Sequence, residues 1–221
     1  MTQQRLPLER VVSNTRGDFI VSRDNAAAVA LVDAWPKWPG GRLALVGPEG
    51  SGKTHLARAW ADRAGAVVLS REDMDVSGLP GRAVLLENAD RRPAGEVLFH
   101  LINMADAGAS LLLTGRTPPI TWRAELPDLR SRLNALTVAT LATPDDTVLE
   151  GVLRRFFEQR NIRVADEVLA YLLHRIERSV PAAWDVVARI DQRADAEKRE
   201  ITRPLIREIL EQGEPSVDGF D

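Results

Sequence analysis

Short apolar runs alternate with segments of helical periodicity over the first two thirds of the chain. The apolar runs predict five β-strands, at residues 42–46, 66–70, 82–86, 110–115 and 136–141. Between them, apolar residues recur every three or four positions at 26–35, 54–61 and 94–107, which predicts helices. Strands separated by helical crossovers indicate an α/β fold built on a parallel five-stranded sheet.

After Leu141 the pattern changes to helical periodicity alone. Thr143 is a predicted helix cap, because Pro144 and two acidic residues follow it and suit a first helical turn. Helices are predicted at residues 148–159, 166–178, 182–198 and 203–211. The predicted organisation is an N-terminal peptide at 1–10, an α/β base at 11–141, a small all-helical domain at 142–212 and a disordered tail at 213–221.

Composition and charge narrow the classes of function. The 221 residues include no cysteine, which excludes disulfides and thiolate metal sites. The formal net charge of −3 does not indicate a nucleic-acid surface. No apolar run is long enough to span a membrane, and the N-terminus lacks a hydrophobic signal core, so we expect a cytoplasmic protein with no membrane partner.

Residues 47–54 carry the strongest chemical signal. Their sequence, GPEGSGKT, fits the phosphate-binding pattern G-x-x-x-x-G-K-[ST] between a predicted strand and a predicted helix. Glycines let backbone N–H groups converge on a phosphate, and the helix directs its N-terminus at the anion. The predicted nucleotide-binding residues here are Gly47, Pro48, Gly50, Ser51, Gly52, Lys53, Thr54 and His55. An ordinary glycine-rich turn is the alternative interpretation.

The next signal is the acid that follows the third predicted strand. With the Thr54 hydroxyl, Glu87 is the predicted Mg²⁺ ligand, although an aspartate is usual at this position. Asn88 follows, where many ATPases carry a glutamate that activates water, and an amide cannot accept a proton as a general base. The alternative is that Glu87 only ends a strand.

Residues 3–8 have the sequence QQRLPL, which suits a docking peptide. Leu6 and Leu8 can enter apolar pockets, Pro7 restricts the chain, and Gln3 can donate or accept hydrogen bonds. A flexible terminus or a lone edge strand explains the same residues, and the segment taken by itself favours that interpretation.

Four stretches together resemble a known family: residues 3–8, 47–54, 111–119 and 126–133. A phosphate-loop α/β base followed by a helical lid resembles the AAA+ proteins, and the last two stretches resemble the DnaA-type initiators among them. The chain is most similar to the Hda-like regulators of this clade, which inactivate DnaA. The resemblance runs from Gln3 to about Gln212 and implies an AAA+ P-loop base with a small helical lid.

The resemblance implies several roles for individual residues. In Hda-like proteins the N-terminal hexapeptide binds the sliding clamp of DNA polymerase III, its beta subunit, which now favours docking for residues 3–8. Arg132 resembles the arginine finger, which would reach the γ-phosphate of ATP held by DnaA, with Arg130 as the alternative. Phe19 and Ile20 lie in a segment that resembles the part packed against adenine.

The chain departs from the AAA+ pattern at three places. They are Glu87 with Asn88, Arg116 in place of the polar residue after the fourth strand, and Pro181 in place of the lid arginine. These departures predict ADP or ATP binding with Mg²⁺ but weak hydrolysis by the protein alone. We expect a regulator that stimulates DnaA, without sequence-specific DNA binding and compatible with a homo-oligomer. The alternative is a self-sufficient AAA+ ATPase such as a helicase loader.

Overall fold

A parallel sheet of five strands forms the centre of the base. The computed structural model of the protein describes residues 15–69, 76, 78–91 and 95–211. The strands are β1 (Arg42–Val46), β2 (Val67–Leu69), β3 (Val84–Leu86), β4 (Leu111–Gly115) and β5 (Val138–Thr140). Their order across the sheet is β2-β3-β4-β1-β5, and all four neighbouring pairs are parallel. The predicted α/β class and its parallel five-stranded sheet are confirmed.

Both faces of this sheet are covered by helices. These are α1 (Ala26–Asp33), α2 (Lys53–Ala64), α3 (Glu96–Asp106) and α4 (Pro127–Asn134). Ala44 and Val46 of β1 pack in a core with α3 and α4, whereas Leu43 and Leu45 pack in a second core with α1 and α2. Successive strand residues point to opposite faces, so a strand covered on both sides is apolar throughout.

The C-terminal helices have a hydrophobic core of their own. They are α5 (Asp146–Gln159), α6 (Asp166–Leu173), α7 (Val180–Glu197) and α8 (Arg203–Glu211). Phe157, Leu172 and Ile190 are fully buried at the centre of this cluster, which contains residues of all four helices. We call this group of helices the lid.

The structure corrects the predicted cap of α5. Thr143 is not the cap of α5; the N-cap is Asp145, whose carboxylate accepts a hydrogen bond from the backbone N–H of Val148 at 2.8 Å. The predicted cap was wrong because the chain remains extended at Asp145, so the helix begins two residues later than the Thr-Pro pattern indicated.

The boundary between α6 and α7 also differs from the prediction. Helix α6 ends at Leu173 rather than near residue 178, and α7 begins at Val180 rather than at 182. Ser179 caps α7 by accepting a hydrogen bond from the N–H of Ala182 at 3.2 Å. Pro181 fits this first turn because a helix leaves its first N–H groups without intrahelical partners.

The remaining differences concern ends of elements. Strands β3 and β5 are three residues each, shorter than the apolar runs that predicted them. The docking peptide, Ser70, the beginning of the predicted helix at 94–107 and the tail at 213–221 fall outside the described residues. Within those that are described, no helix combines the length and apolar character needed to cross a bilayer.

Candidate nucleotide site

The phosphate loop, residues 47–52, joins the carboxyl end of β1 to the N-terminus of α2. Its first glycine packs against backbone: a Cβ at Gly47 would lie 2.1 Å from the carbonyl oxygen of Leu141. The Gly47 N–H also donates to the carbonyl of Gly115 at the end of β4, at 3.2 Å. The loop is thereby attached to both neighbours of β1, and only glycine fits its first position.

Lys53 lies in the first turn of α2 and folds back over the loop. Its ammonium donates to the carbonyl of Pro48 at 2.7 Å. Burial, followed by the nearby charge of Arg116, lowers the pKa of Lys53 below its ordinary value, while Asp90 and Glu49 act in the opposite direction. A phosphate oxygen at this point would replace a neutral carbonyl with a charged acceptor.

The lid touches the loop through the start of α7. The N–H of Val180 donates to the carbonyl of Gly50 at 3.2 Å. Gly50 has a φ of +74°, and a Cβ there would lie 2.5 Å from Cβ of Ser179 and 3.4 Å from Cδ of Pro181. The segment predicted to lack a lid arginine therefore lies directly on the phosphate loop, where it offers a backbone N–H and a proline ring instead of a cation.

A segment before α1 covers the other side of the loop. A Cβ at Gly52 would lie 3.2 Å from the Phe19 ring, which meets the imidazole of His55 edge-on at a centroid distance of 5.5 Å. Ile20 packs against Gly151 of α5, where a Cβ would be only 2.6 Å from its Cδ1. The two residues predicted to pack on adenine thus lie between the phosphate loop and the lid.

The carboxylate of Glu87, which follows β3, forms an ion pair within the protein. Glu87 accepts two hydrogen bonds from Arg58 of α2, Nε to Oε1 and Nη2 to Oε2, each at 3.1 Å. The neighbouring Asn88 has a φ of +53° and its N–H donates to the hydroxyl of Thr114 at 3.0 Å. The structure therefore brings Glu87 to the expected edge of the sheet but pairs it with an arginine that the motif does not include.

Arg116, directly after β4, is also beside the loop. Its backbone N–H donates to Asp90 Oδ2 at 2.8 Å, and its guanidinium forms an ion pair with Glu49 of the loop. Sequence reasoning missed both ion pairs, Arg58–Glu87 and Arg116–Glu49. The second involves a variable position of the motif, so the pattern contains no signal for it.

These features fit a bound nucleotide. A side chain at Gly47 or Gly50 would collide with the atoms around the loop, and the hydroxyl of Ser51 is buried with no hydrogen-bond partner among the described residues. Lys53 and the N-terminus of α2 are donors suited to phosphate. Among the residues described, no group of three or more His, Cys, Asp or Glu side chains could hold a metal. Thr54 and Glu87 would therefore need phosphate oxygens and water to complete an Mg²⁺ shell.

Arg132 lies far from this loop, near the amino end of β1 rather than its carboxyl end. Its Nε donates to Asp128 at 3.0 Å and its Nη1 to Asp106 at 2.6 Å, and its guanidinium lies 5.3 Å from the Phe99 ring centroid. Asp106 also pairs with Arg42, the first residue of β1. The full length of β1, roughly 16 Å at 3.3 Å per residue, therefore separates Arg132 from the loop that follows the strand.

Arg130, on the same helix, is placed differently. Its Nη1 donates to the carbonyl of Ile120 at 3.0 Å. The two arginines are thus distinguishable: Arg132 is paired with carboxylates, and Arg130 is bonded to a backbone carbonyl next to the exposed side chain of Ile120.

Comparison with solved structures identifies the fold. Domain III of the replication initiation protein DnaA from Thermotoga maritima is 17% identical and aligns with 94% of this chain and 98% of its own, with a TM-score of 0.74. AMPPCP-bound DnaA from Aquifex aeolicus is 18% identical over 84% of this chain and 69% of its own, with a TM-score of 0.67. The RuvB Holliday junction branch migration motor of Thermotoga maritima is 16% identical over 90% and 72%, with a TM-score of 0.70.

A sequence match adds information about the lid. Residues 146–210, which comprise nearly all of α5 to α8, match the family described as Hda, lid domain. The base and lid together have the AAA+ architecture of DnaA and RuvB, so the expected AAA+ fold is confirmed. This chain therefore has the AAA+ fold seen in DnaA, and residues 146–210 of its lid match the Hda lid domain.

Proposed function

We propose that this protein regulates the initiation of DNA replication by promoting hydrolysis of ATP bound to DnaA. It would bind ADP or ATP with Mg²⁺ in its own loop, dock on the polymerase sliding clamp through residues 3–8, and present Arg132 to the partner's nucleotide. The Hda-type lid and the DnaA-like fold support a role in replication. The proposed domains are the docking peptide at 1–10, the base at 11–141 and the lid at 142–212.

The observation that carries this proposal is the position of Arg132. It is exposed by 29% at the edge of the sheet away from its own phosphate loop. An arginine there can meet a phosphate only if that phosphate belongs to another molecule. Its guanidinium is always charged and presents a fork of donors that matches phosphate oxygens. Such a group supplied in trans raises nucleotide hydrolysis by about three to five powers of ten.

Nucleotide binding in the protein's own loop has separate support. Lys53, the N-terminus of α2 and the Ser51 hydroxyl, which has no partner among the described residues, suit a phosphate group. DnaA, whose fold this chain shares, has been solved with AMPPCP bound. Hydrolysis by the protein alone is expected to be slow, because Asn88 cannot serve as a general base and Glu87 is paired with Arg58.

Phosphate release from DnaA–ATP tests the proposal. The assay contains DnaA–ATP, this protein and clamp loaded on DNA, with each component omitted in turn. We expect stimulation only with all three, its loss in Arg132→Ala, and nearly equal loss in Arg132→Lys, which keeps the charge but not the fork. Arg130→Ala is the matched control and should retain stimulation.

Two results would contradict the proposal. Full stimulation by Arg132→Ala would show that Arg132 is not the arginine finger. Rapid ATP turnover by the isolated protein, abolished by Lys53→Ala, would instead support a self-sufficient AAA+ ATPase such as a helicase loader.

A further inference from the structure

Glu49, in the phosphate loop, and Arg116, after β4, form an ion pair at the mouth of the site. We propose that Glu49 is an internal competitor for nucleotide phosphate: it occupies the Arg116 guanidinium until a phosphate oxygen takes its place. This inference rests on the nucleotide binding proposed above. It assigns a regulatory contact to a loop position that the phosphate-binding pattern leaves free.

Backbone contacts fix the place from which Arg116 extends. Gly115, its neighbour, accepts the N–H of Gly47 at 3.2 Å, so the end of β4 is joined to the first residue of the phosphate loop. The Arg116 N–H is held by Asp90 at 2.8 Å. A Cβ at Gly115 would lie 2.7 Å from the Trp122 ring, so this part of the chain is closely packed. The arginine therefore cannot move away from the loop by a backbone shift.

The charges around Lys53 show that this guanidinium lies within range of the phosphate position. After burial, the charge of Arg116 is the next cause that lowers the pKa of Lys53. Asp90 and then Glu49 act in the opposite direction on Lys53, and Glu49 is the carboxylate that pairs with the Arg116 guanidinium in the part of the chain described here. Asp90 is used differently, since one of its oxygens accepts the Arg116 backbone N–H.

The ion pair can be exchanged at low cost. Glu49 is 73% exposed and Arg116 is 40% exposed, and exposed ion pairs contribute little to stability. A guanidinium binds carboxylate and phosphate with the same planar fork, so phosphate can replace Glu49 without rearranging the arginine. Release of Glu49 is then the cost of binding, and removing its charge should strengthen nucleotide binding.

Calorimetric titration with Mg-ADP and Mg-ATP tests this exchange. We expect Glu49→Gln to lower the Kd about twofold to fivefold, as the loss of an exposed competitor implies. Arg116→Gln should raise the Kd. In the double variant, Glu49→Gln should have no further effect, because the guanidinium for which it competes is gone. Glu211→Gln, which breaks a similar exposed pair with Arg207 in the lid, is the matched control and should leave the Kd unchanged.

The outcomes separate this inference from the proposed function. If the wild-type protein binds nucleotide through Lys53 but Glu49→Gln leaves the Kd unchanged, Glu49 does not compete with phosphate. The proposed nucleotide site would stand in that case. If Glu49→Gln strengthens binding equally with and without Arg116, Glu49 acts by repelling the phosphate directly. The proposed exchange of Glu49 for phosphate at Arg116 would then be wrong. Absence of any binding by the wild-type protein would overturn both.

Discussion

Lys53 and Arg116 bring two positive charges to one loop, and each is held by a group that phosphate could replace. Lys53 donates to a loop carbonyl, and Arg116 pairs with a loop carboxylate. By contrast, Arg132 is held by Asp106 and Asp128 at the far edge of the sheet. At the scale of single residues, the molecule separates two cations beside its phosphate loop from Arg132 at the other end of β1.

The first prediction concerns Lys53. Lys53→Ala should weaken ADP binding at least tenfold, on the order of 1.4 kcal/mol, because it removes the charge directed at the phosphates. Calorimetry measures the change, and Lys37→Ala, which removes the same charge from an exposed position after α1, is the control. Unchanged ADP binding in Lys53→Ala would defeat the assignment of the loop.

At the scale of elements, the starts of α5 and α7 determine how the lid meets the base. Asp145 caps α5, and Ser179 caps α7 at the point where α7 contacts the phosphate loop. The cap of α7 and the loop are closely packed, since a Cβ at Gly50 would lie 2.5 Å from Cβ of Ser179.

A matched pair of substitutions tests the cap of α5. Asp145→Ala should lower the free energy of unfolding by about 1 kcal/mol, since the Val148 N–H loses its acceptor. Thr143→Ala changes an exposed residue two positions earlier and should have little effect. Chemical denaturation of both variants measures the difference. An equal loss in the two would mean that Asp145 has no special role.

A second pair tests the contact between lid and loop. Gly65→Ala places a side chain at a φ of +59° in open space, and it should cost about 1 kcal/mol, or about 2–4 °C in Tm. Gly50→Ala has a similar φ but would also collide with Ser179, so it should lower Tm further and weaken ADP binding. If the two variants behave alike, the lid does not rest on the loop in solution.

At the scale of the whole molecule, three hydrophobic cores position the proposed site. The base has cores on both faces of its sheet, and the lid has its own. The base and the lid meet where Ser179 packs on Gly50 and where Ile20 packs on Gly151. Arg155 of α5 also forms an ion pair with Asp18 at 2.5 Å, which ties the segment before α1 to the lid. The proposed site is thus assembled from three parts of the chain.

The prediction at this scale concerns the N-terminal peptide. The double variant Leu6→Ala, Leu8→Ala should lose clamp binding and keep its Tm and its ADP affinity, because the proposed docking peptide at 1–10 precedes the proposed base at 11–141 in the sequence. Surface binding to immobilised clamp, thermal denaturation and calorimetry measure the three quantities. A double variant that still binds the clamp as tightly as the wild-type protein would end the docking proposal.

The strands, the phosphate loop and the helical character of the lid could be predicted from the sequence because each depends on a local pattern. Apolar runs predicted β1 and β4, and the glycine, lysine and threonine spacing predicted the loop. Local propensity was insufficient at Thr143, because the chain is still extended at Asp145, which caps α5 instead.

Only the tertiary structure showed which side chains meet across long sequence separations. Arg58 pairs with Glu87, Arg116 with Glu49, and the N–H of Val180 with the carbonyl of Gly50. Such contacts depend on strand order and helix packing, which bring together residues that no periodic pattern relates. The motif indicated that a phosphate can bind; the fold determined which charges surround that position and which arginine faces away from it.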